Sequence, residues 1–149
     1  MTHIIRPTVP SILRRAFDAF GAGDPFTIGE VFERHAVMTA HVDARLVRLF
    51  GGDHKAELPL RSRGNLRIAQ HFELNFAHMQ IGHVEVHSAI RAGREVAAVC
   101  EFDLKMLATG ETVAARCTGI YTLSATGRKV ENARTVCQLI TPGWDHKIN

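Results

Sequence analysis

Aromatic residues are scarce in this chain of 149 residues: one tryptophan, one tyrosine and eight phenylalanines make up 7% of it. Few rings, with none interleaved through a basic face, leave no stacking platform for nucleic acid. Long apolar runs are missing as well. None approaches the ~20 residues a membrane helix needs, and no signal-peptide core follows Met1, so no membrane association and a cytoplasmic location are expected. Cysteine is limited to Cys100, Cys117 and Cys137, an odd number within strand-like runs and without CxxC spacing. Buried free thiols in a reducing compartment are expected, rather than redox or metal ligands. Histidine is plentiful, at nine. Yet His35, His41, His71, His78, His83 and His87 spread over different elements and form neither HxH nor HExxH. Neither a metal nor a cofactor is expected.

What the chain does have is core-forming material. With 46% apolar and 22% charged residues it reads as one ordinary domain spanning residues 1–149, long enough to bury a sizeable core. The formal charge of +3 is uneven. Arg45, Arg48, Lys55, Arg61, Arg63 and Arg67 face only Asp53 and Glu57, so residues 45–67 hold more than the whole excess. That stretch contains a single ring, Phe50, which fits an acidic small molecule or a solvated loop better than nucleic acid.

Pro10-Ser11 predicts a helix start, and Ile12, Leu13, Ala16, Phe17 and Phe20 recur at helical spacing until Gly21-Ala22-Gly23-Asp24 stops them. Asp24-Pro25 caps a second, short helix bearing Ile28, Val31 and Phe32. Residues 36–41 turn extended, and 42–63 read as a long irregular connection. Gly64-Asn65 opens a third helix with Ile68, Ala69, Phe72 and Phe76 on one face. From His83 the apolar period changes to two, with runs at 84–90, 96–107, 113–124 and 130–140 broken by glycine-bearing turns. Helices first and strands after predict an α+β fold with three N-terminal helices on the concave face of a curved antiparallel sheet. Such a sheet leaves a cone open at one end.

Three stretches carry a resemblance: "ILRRAFDAFGAGD" running into "IGEVFERHAVM", then "RGNLRIAQHF", then the hairpins ending "GRKVENARTVCQ". Together they resemble the NTF2-like superfamily in its SnoaL-like, ketosteroid-isomerase-like branch, over roughly residues 11–140. The resemblance implies a cone fold, a small-molecule pocket and a homodimer formed through the outer sheet face. It also implies where isomerase groups would stand: a tyrosine at Ala16, a proton-moving aspartate at Ala40 and a sheet acid near Gly119. None of those three residues can do acid–base work, so isomerisation by that route is not expected.

Strand alternation chooses the side chains that remain. Cys100, Phe102, Leu104 and Met106 share the inner face with Ala115, Cys117, Gly119, Tyr121 and Leu123, while Glu101, Asp103, Lys105, Arg116 and Arg134 lie outside. The outer charges can form cross-strand pairs, as a dimer surface or simply in solvent. His71 aligns with a pocket-lining position of the isomerases and is the leading proton carrier, with Tyr121 as an orienting hydroxyl. His41 and Asp43 are a weaker catalytic pair, because Ala40 inward sends them outward. Ala40, Phe72, His78, Phe102, Cys117, Gly119 and Thr135 are expected to contact substrate, and Arg61 and Arg63 to attract an acidic part of it. Trp144 either folds over the cone mouth or belongs to a loose end. Two functions stay open: isomerisation, dehydration or hydrolysis of a hydrophobic and acidic molecule, or a non-catalytic ligand-binding or dimerisation module.

Overall fold

A computed structural model describes residues 8–43, 45–46 and 60–140. Helix α1 spans Ser11–Ala22 and buries Ile12, Leu13, Phe17 and Ala19. It ends where Gly23 adopts φ 67°, and the N–H groups of Gly23 and Asp24 bond back to the carbonyls of Phe20 and Ala19. A side chain would resist that left-handed turn, which is why glycine stands there. Helix α2, Pro25–Val31, is capped by Asp24, whose Oδ1 accepts the Thr27 N–H at 3.1 Å while its Oδ2 accepts the Thr27 hydroxyl at 2.6 Å. These bonds, the hydroxyl first, hold the Asp24 carboxyl below its ordinary range. Helix α3, Asn65–His78, crosses α2 at Gly29, where an added Cβ would come within 2.9 Å of the Ala69 Cβ.

Six strands form one sheet, the first two of them ahead of α3: β1 Phe32–Val42, β2 Leu60–Arg63, β3 Met79–Ala92, β4 Glu95–Met106, β5 Thr112–Leu123 and β6 Val130–Ile140. Their order is β2-β1-β6-β5-β4-β3. The α+β cone and the β3–β6 meander agree with expectation, but the sheet is mixed rather than wholly antiparallel. Strand β1 pairs in parallel with β6, and β2 adds itself antiparallel to β1. Periodicity marks a strand without naming its partner, so a pairing that joins the two ends of the domain could not be anticipated. Strand β2 has four residues, too short for alternation to stand out. It also converts the end of the expected 42–63 connection into sheet and places α3 between β2 and β3. Strand β3 starts directly at the end of α3, at Met79 rather than His83. Arg48, Lys55 and Trp144 lie outside the described residues.

Register shifts in β1/β6, at two points in β3/β4, and in β5/β6 bend the long strands. Bulges of this kind raise local twist and curl a sheet. Two apolar clusters fill the curl. One gathers Leu13, Phe17, Ile28, Val31, Val96, Leu123 and Val130, and the other Leu46, Ile81, Phe102, Leu104, Met106 and Ala115. Burying a large side chain of this sort contributes about 1.5–3 kcal/mol. Phe20 touches both clusters, edge-to-face on Phe72 at 6.0 Å and on Phe102 at 4.9 Å. On the outer face the paired Glu101 and Arg116 form two hydrogen bonds at 2.7 and 3.0 Å, with His87 3.3 Å from the same carboxylate. Ile120 and Val136 stand exposed there.

Candidate functional site

Between the sheet and helices α1 and α3 lies a cavity of about 250 Å³. Its sheet wall is built in cross-strand rows. Met38, Ala133 and Tyr121 form one row, Ala40, Thr135 and Gly119 the next, and Val42, Cys137, Cys117 and Cys100 the third. The middle row is small, and small side chains between larger ones leave the hollow. Ala16, Phe17 and Phe20 from α1, and His71, Phe72 and Asn75 from α3, close the opposite side. The positions where the resemblance implies an aspartate and a sheet acid, Ala40 and Gly119, thus share the row that makes the space.

His71 is mostly enclosed by apolar side chains, with the Phe72 ring edge-on at 5.2 Å. Burial pushes its pKa below the ordinary histidine value, which keeps the ring neutral. The Asn75 amide nitrogen lies 3.2 Å from Nε2. With that nitrogen donating, Nε2 accepts and Nδ1 carries the ring proton. The amide can also present its oxygen, so Asn75 is able to hold either tautomer. His71 and Asn75 are one helical turn apart, an i, i+4 spacing on α3 that was readable in the sequence and passed over.

Tyr121 is 9% exposed and packs edge-to-face on Phe17 at 5.9 Å. Its ring folds back along its own strand, so that a Cβ on Gly119 would sit 2.5 Å from the phenol oxygen. Glycine at 119 therefore serves by making room for the tyrosine rather than by touching a ligand. Burial, then the neighbouring Cys117 and Cys100, push the phenol pKa well up, and it stays a neutral donor. Among the described residues none hydrogen-bonds that hydroxyl. Gly119→Ala should drive the ring into the cavity at a cost of about 1–3 kcal/mol. Unfolding in urea checks this, and an unchanged midpoint would mean the ring swings aside freely.

The three thiols of the third row differ in character. Cys117 is pushed well up by its contact with Cys100 and by burial, while the Cys117 thiol holds Cys100 below the usual range. Burial, with Cys100 and Asp43 nearby, pushes Cys137 up to about 12.

The cavity brings together His71, Tyr121, Ala40, Phe72, Phe102, Cys117 and Thr135. Other candidates stand elsewhere. His41 is exposed on the opposite side of β1. Asp43 takes the Arg45 guanidinium at 2.8 Å and the Leu139 N–H at 3.4 Å, and Arg45 holds its carboxyl low. His78 is exposed in the last turn of α3, because β3 begins at once and Met79 closes that end of the cavity. Arg61 and Arg63 are exposed on β2 beside Leu60, which does line the cavity. Met38, Met79, Cys100 and Cys137 line it too, although none was expected to contact substrate. Among the described residues no histidine, cysteine and carboxylate group is arranged to hold a metal ion, and no helix is long and apolar enough to cross a membrane.

A sequence profile of the SnoaL-like domain matches residues 13–132. No curated protein sequence matches the chain. Among solved structures, a hypothetical protein of ketosteroid isomerase-like fold from Catenulispora acidiphila, in complex with trimethylamine, superposes with a TM-score of 0.69 at 16% identity, covering 86% of this chain and 85% of its own. The epoxide hydrolase/cyclase-like enzyme SalBIII, of pyran ring formation in the polyether salinomycin, gives 0.63 at 17% identity over 86% and 88%. An LEH-like epoxide hydrolase of M. tuberculosis gives 0.63 at 14% identity over 87% and 81%. At these identities the likeness is one of fold.

Proposed function

The chain belongs to the SnoaL-like domain family, and from that premise we propose that its cavity binds a small, largely apolar molecule and transfers a proton on it. The observation that carries this reading is a desolvated histidine hydrogen-bonded to Asn75 and an unpartnered phenol in one apolar hollow. Tyr121 donates a hydrogen bond to a carbonyl or epoxide oxygen of the ligand, and neutral His71 takes or returns the proton. Isomerisation, dehydration and hydrolysis all use that pair. The related structures named for epoxide hydrolysis and cyclisation support the same range. No cofactor is needed. Arg61 and Arg63, exposed beside the lining residue Leu60, attract an acidic part of the ligand from outside.

A thermal-shift screen with hydrophobic ketones, epoxides and aromatic acids tests the reading. A ligand at 100 times its Kd adds about 2.7 kcal/mol, or about 2–4 °C of Tm per kcal/mol in a domain of this size. Tyr121→Phe should lose most of the shift for ketones and keep it for hydrocarbons. Binding without turnover would favour the non-catalytic module, which Ala16, Ala40 and Gly119 support, since none of them can move a proton.

A second copy of the chain covers the outer sheet face, where Ile120 is 51% and Val136 43% exposed among paired charges. Sedimentation should give a dimer that Ile120→Lys with Val136→Lys dissolves, and a monomeric wild type would end this idea. Three free thiols favour the cytoplasm, which recovery from a secreted fraction would refute.

A further inference from the structure

The middle row of the cavity wall, Ala40, Thr135 and Gly119, is where the side chains are smallest and also where two hydroxyls arrive. Thr135 sits in it, directly across from Gly119. Opposed residues of an antiparallel pair hold their Cβ positions about 4.5–5.5 Å apart on one face. The Tyr121 ring enters the same row along its own strand, with the phenol oxygen 2.5 Å from where a Gly119 Cβ would stand. Among the described residues neither hydroxyl has a hydrogen-bond partner, whereas every fully buried side-chain nitrogen or oxygen there has one. Both oxygens therefore open onto the cavity that their residues line. An unmet hydroxyl in an apolar hollow is costly, and a ligand oxygen can meet it. Among the described residues no aspartate, glutamate, lysine or arginine lines the space, so a charged group would find no counter-ion in it.

We infer that this row is the polar end of the site: Tyr121 and Thr135 together hold the uncharged, oxygen-bearing end of the ligand, and Thr135 sets the preference for such a molecule over a hydrocarbon. The inference rests on the cavity being a ligand site, as proposed above, and adds a second hydroxyl and the direction in which the ligand lies. Ala40 and Gly119 leave the room that the oxygen occupies. The phenol donates to it, and the Thr135 hydroxyl, able to donate or accept, serves the same oxygen or one bonded next to it. The apolar remainder packs against Phe20, Phe72 and Phe102. His71 and Asn75 come from α3 on the other side of the cavity, so an oxygen held at the sheet turns the carbon skeleton toward the histidine. Arg61 and Arg63 are exposed on β2. An acidic part of the ligand and the oxygen in this row are therefore separate ends of the molecule.

Acetophenone, ethylbenzene and benzoate, similar in size, serve as probes on the full chain, with Kd from calorimetry and the infrared carbonyl stretch of bound acetophenone as readouts. Wild type should prefer acetophenone to ethylbenzene, and should bind benzoate, charged at neutral pH, at least about tenfold more weakly than acetophenone. Thr135→Val, close in shape and checked for fold by circular dichroism, should cut the ketone-to-hydrocarbon preference by about two- to tenfold. It should also raise the carbonyl stretch toward its value in hydrocarbon solvent. Thr135→Ser should restore both, which a purely structural role would not require. A preference and a stretch left unchanged by Thr135→Val overturn the assignment, as does tighter binding of benzoate. If ethylbenzene binds as well as acetophenone, the polar end falls and the ligand cavity stands. If none of the three binds, both fall.

Discussion

His71→Leu is expected to keep the fold and to lower turnover of a cavity substrate by about 10²–10⁴-fold, the usual contribution of a positioned proton-transfer group. Leucine fills similar space against Phe72 and removes both ring nitrogens. The Asn75 amide loses a partner on a half-open helix face, so the cost in stability should stay small. His71→Gln keeps a hydrogen-bonding group near Asn75 without a titratable ring, and it should lose turnover as leucine does. Full activity in both variants would remove His71 from the chemistry. The same pair reports on pH. Burial holds His71 below the ordinary histidine value of 6.5 in the folded chain. Between the folded and ordinary values only the unfolded chain binds the proton. Its contribution to stability is therefore intact above about pH 6.5, falls as pH drops through that value, and levels off once the folded ring is protonated too. Urea midpoints at about pH 7.5 and about pH 5 should diverge between wild type and His71→Leu, with wild type losing more on acidification. Parallel curves would mean the ring is not desolvated.

Phe20→Ala is expected to have the largest effect on stability of any single change discussed for this chain. Truncating a core phenylalanine costs about 3–5 kcal/mol. Phe20 is half-buried and partly faces the cavity, which places it at the lower end. Its ring meets those of Phe72, Phe76 and Phe102 at 6.0, 5.9 and 4.9 Å. A loss of about 3 kcal/mol corresponds to a fall in Tm of about 6–12 °C. Because Phe20 belongs to the packing of both apolar clusters, its loss loosens α1 from the sheet and not only one side of the cavity. The space it leaves adjoins the existing hollow and should stay open, so benzene should recover part of the lost Tm. Calorimetry with and without benzene decides the matter. A loss under about 1 kcal/mol would mean that the two clusters hold together without it.

Much of this arrangement was legible from local chemistry. Asp24-Pro25 and Gly23 announce the helix ends because capping depends on a residue and its immediate neighbours. Strand alternation placed Tyr121, Phe102 and Cys117 on the inner face, since that period is a property of each strand alone. Pairing between distant strands is different in kind. Nothing in Phe32–Val42 says that it will lie parallel to Val130–Ile140, and the short β2 has too few residues to declare itself. Asn75 was missed because an amide four residues from a histidine matters only once that helix face is known to border a cavity. The thiol row sits between these cases. Cys100 and Cys117 are equidistant from the turn between β4 and β5, so counting outward from that turn aligns them. Counting from the turn between β5 and β6 would set Val136 against Cys117, and only the bulge between Thr122 and Leu123 brings Cys137 there instead.

The parallel seam between β1 and β6 joins positions roughly a hundred residues apart, from Phe32 against Val130 to Val42 against Cys137. Closing so large a loop is slow, and contacts this distant are won late in folding. On the ribosome the order is stricter still. Strand β1 is made before the meander and β6 is the last strand described, so one edge of β1 must wait unpaired while the meander is synthesised. Thr135 and Cys137, which complete two rows of the cavity wall, arrive with that final strand. A nascent chain can hold its helices and hairpins early, but it has no cavity to offer a ligand until synthesis has passed β6.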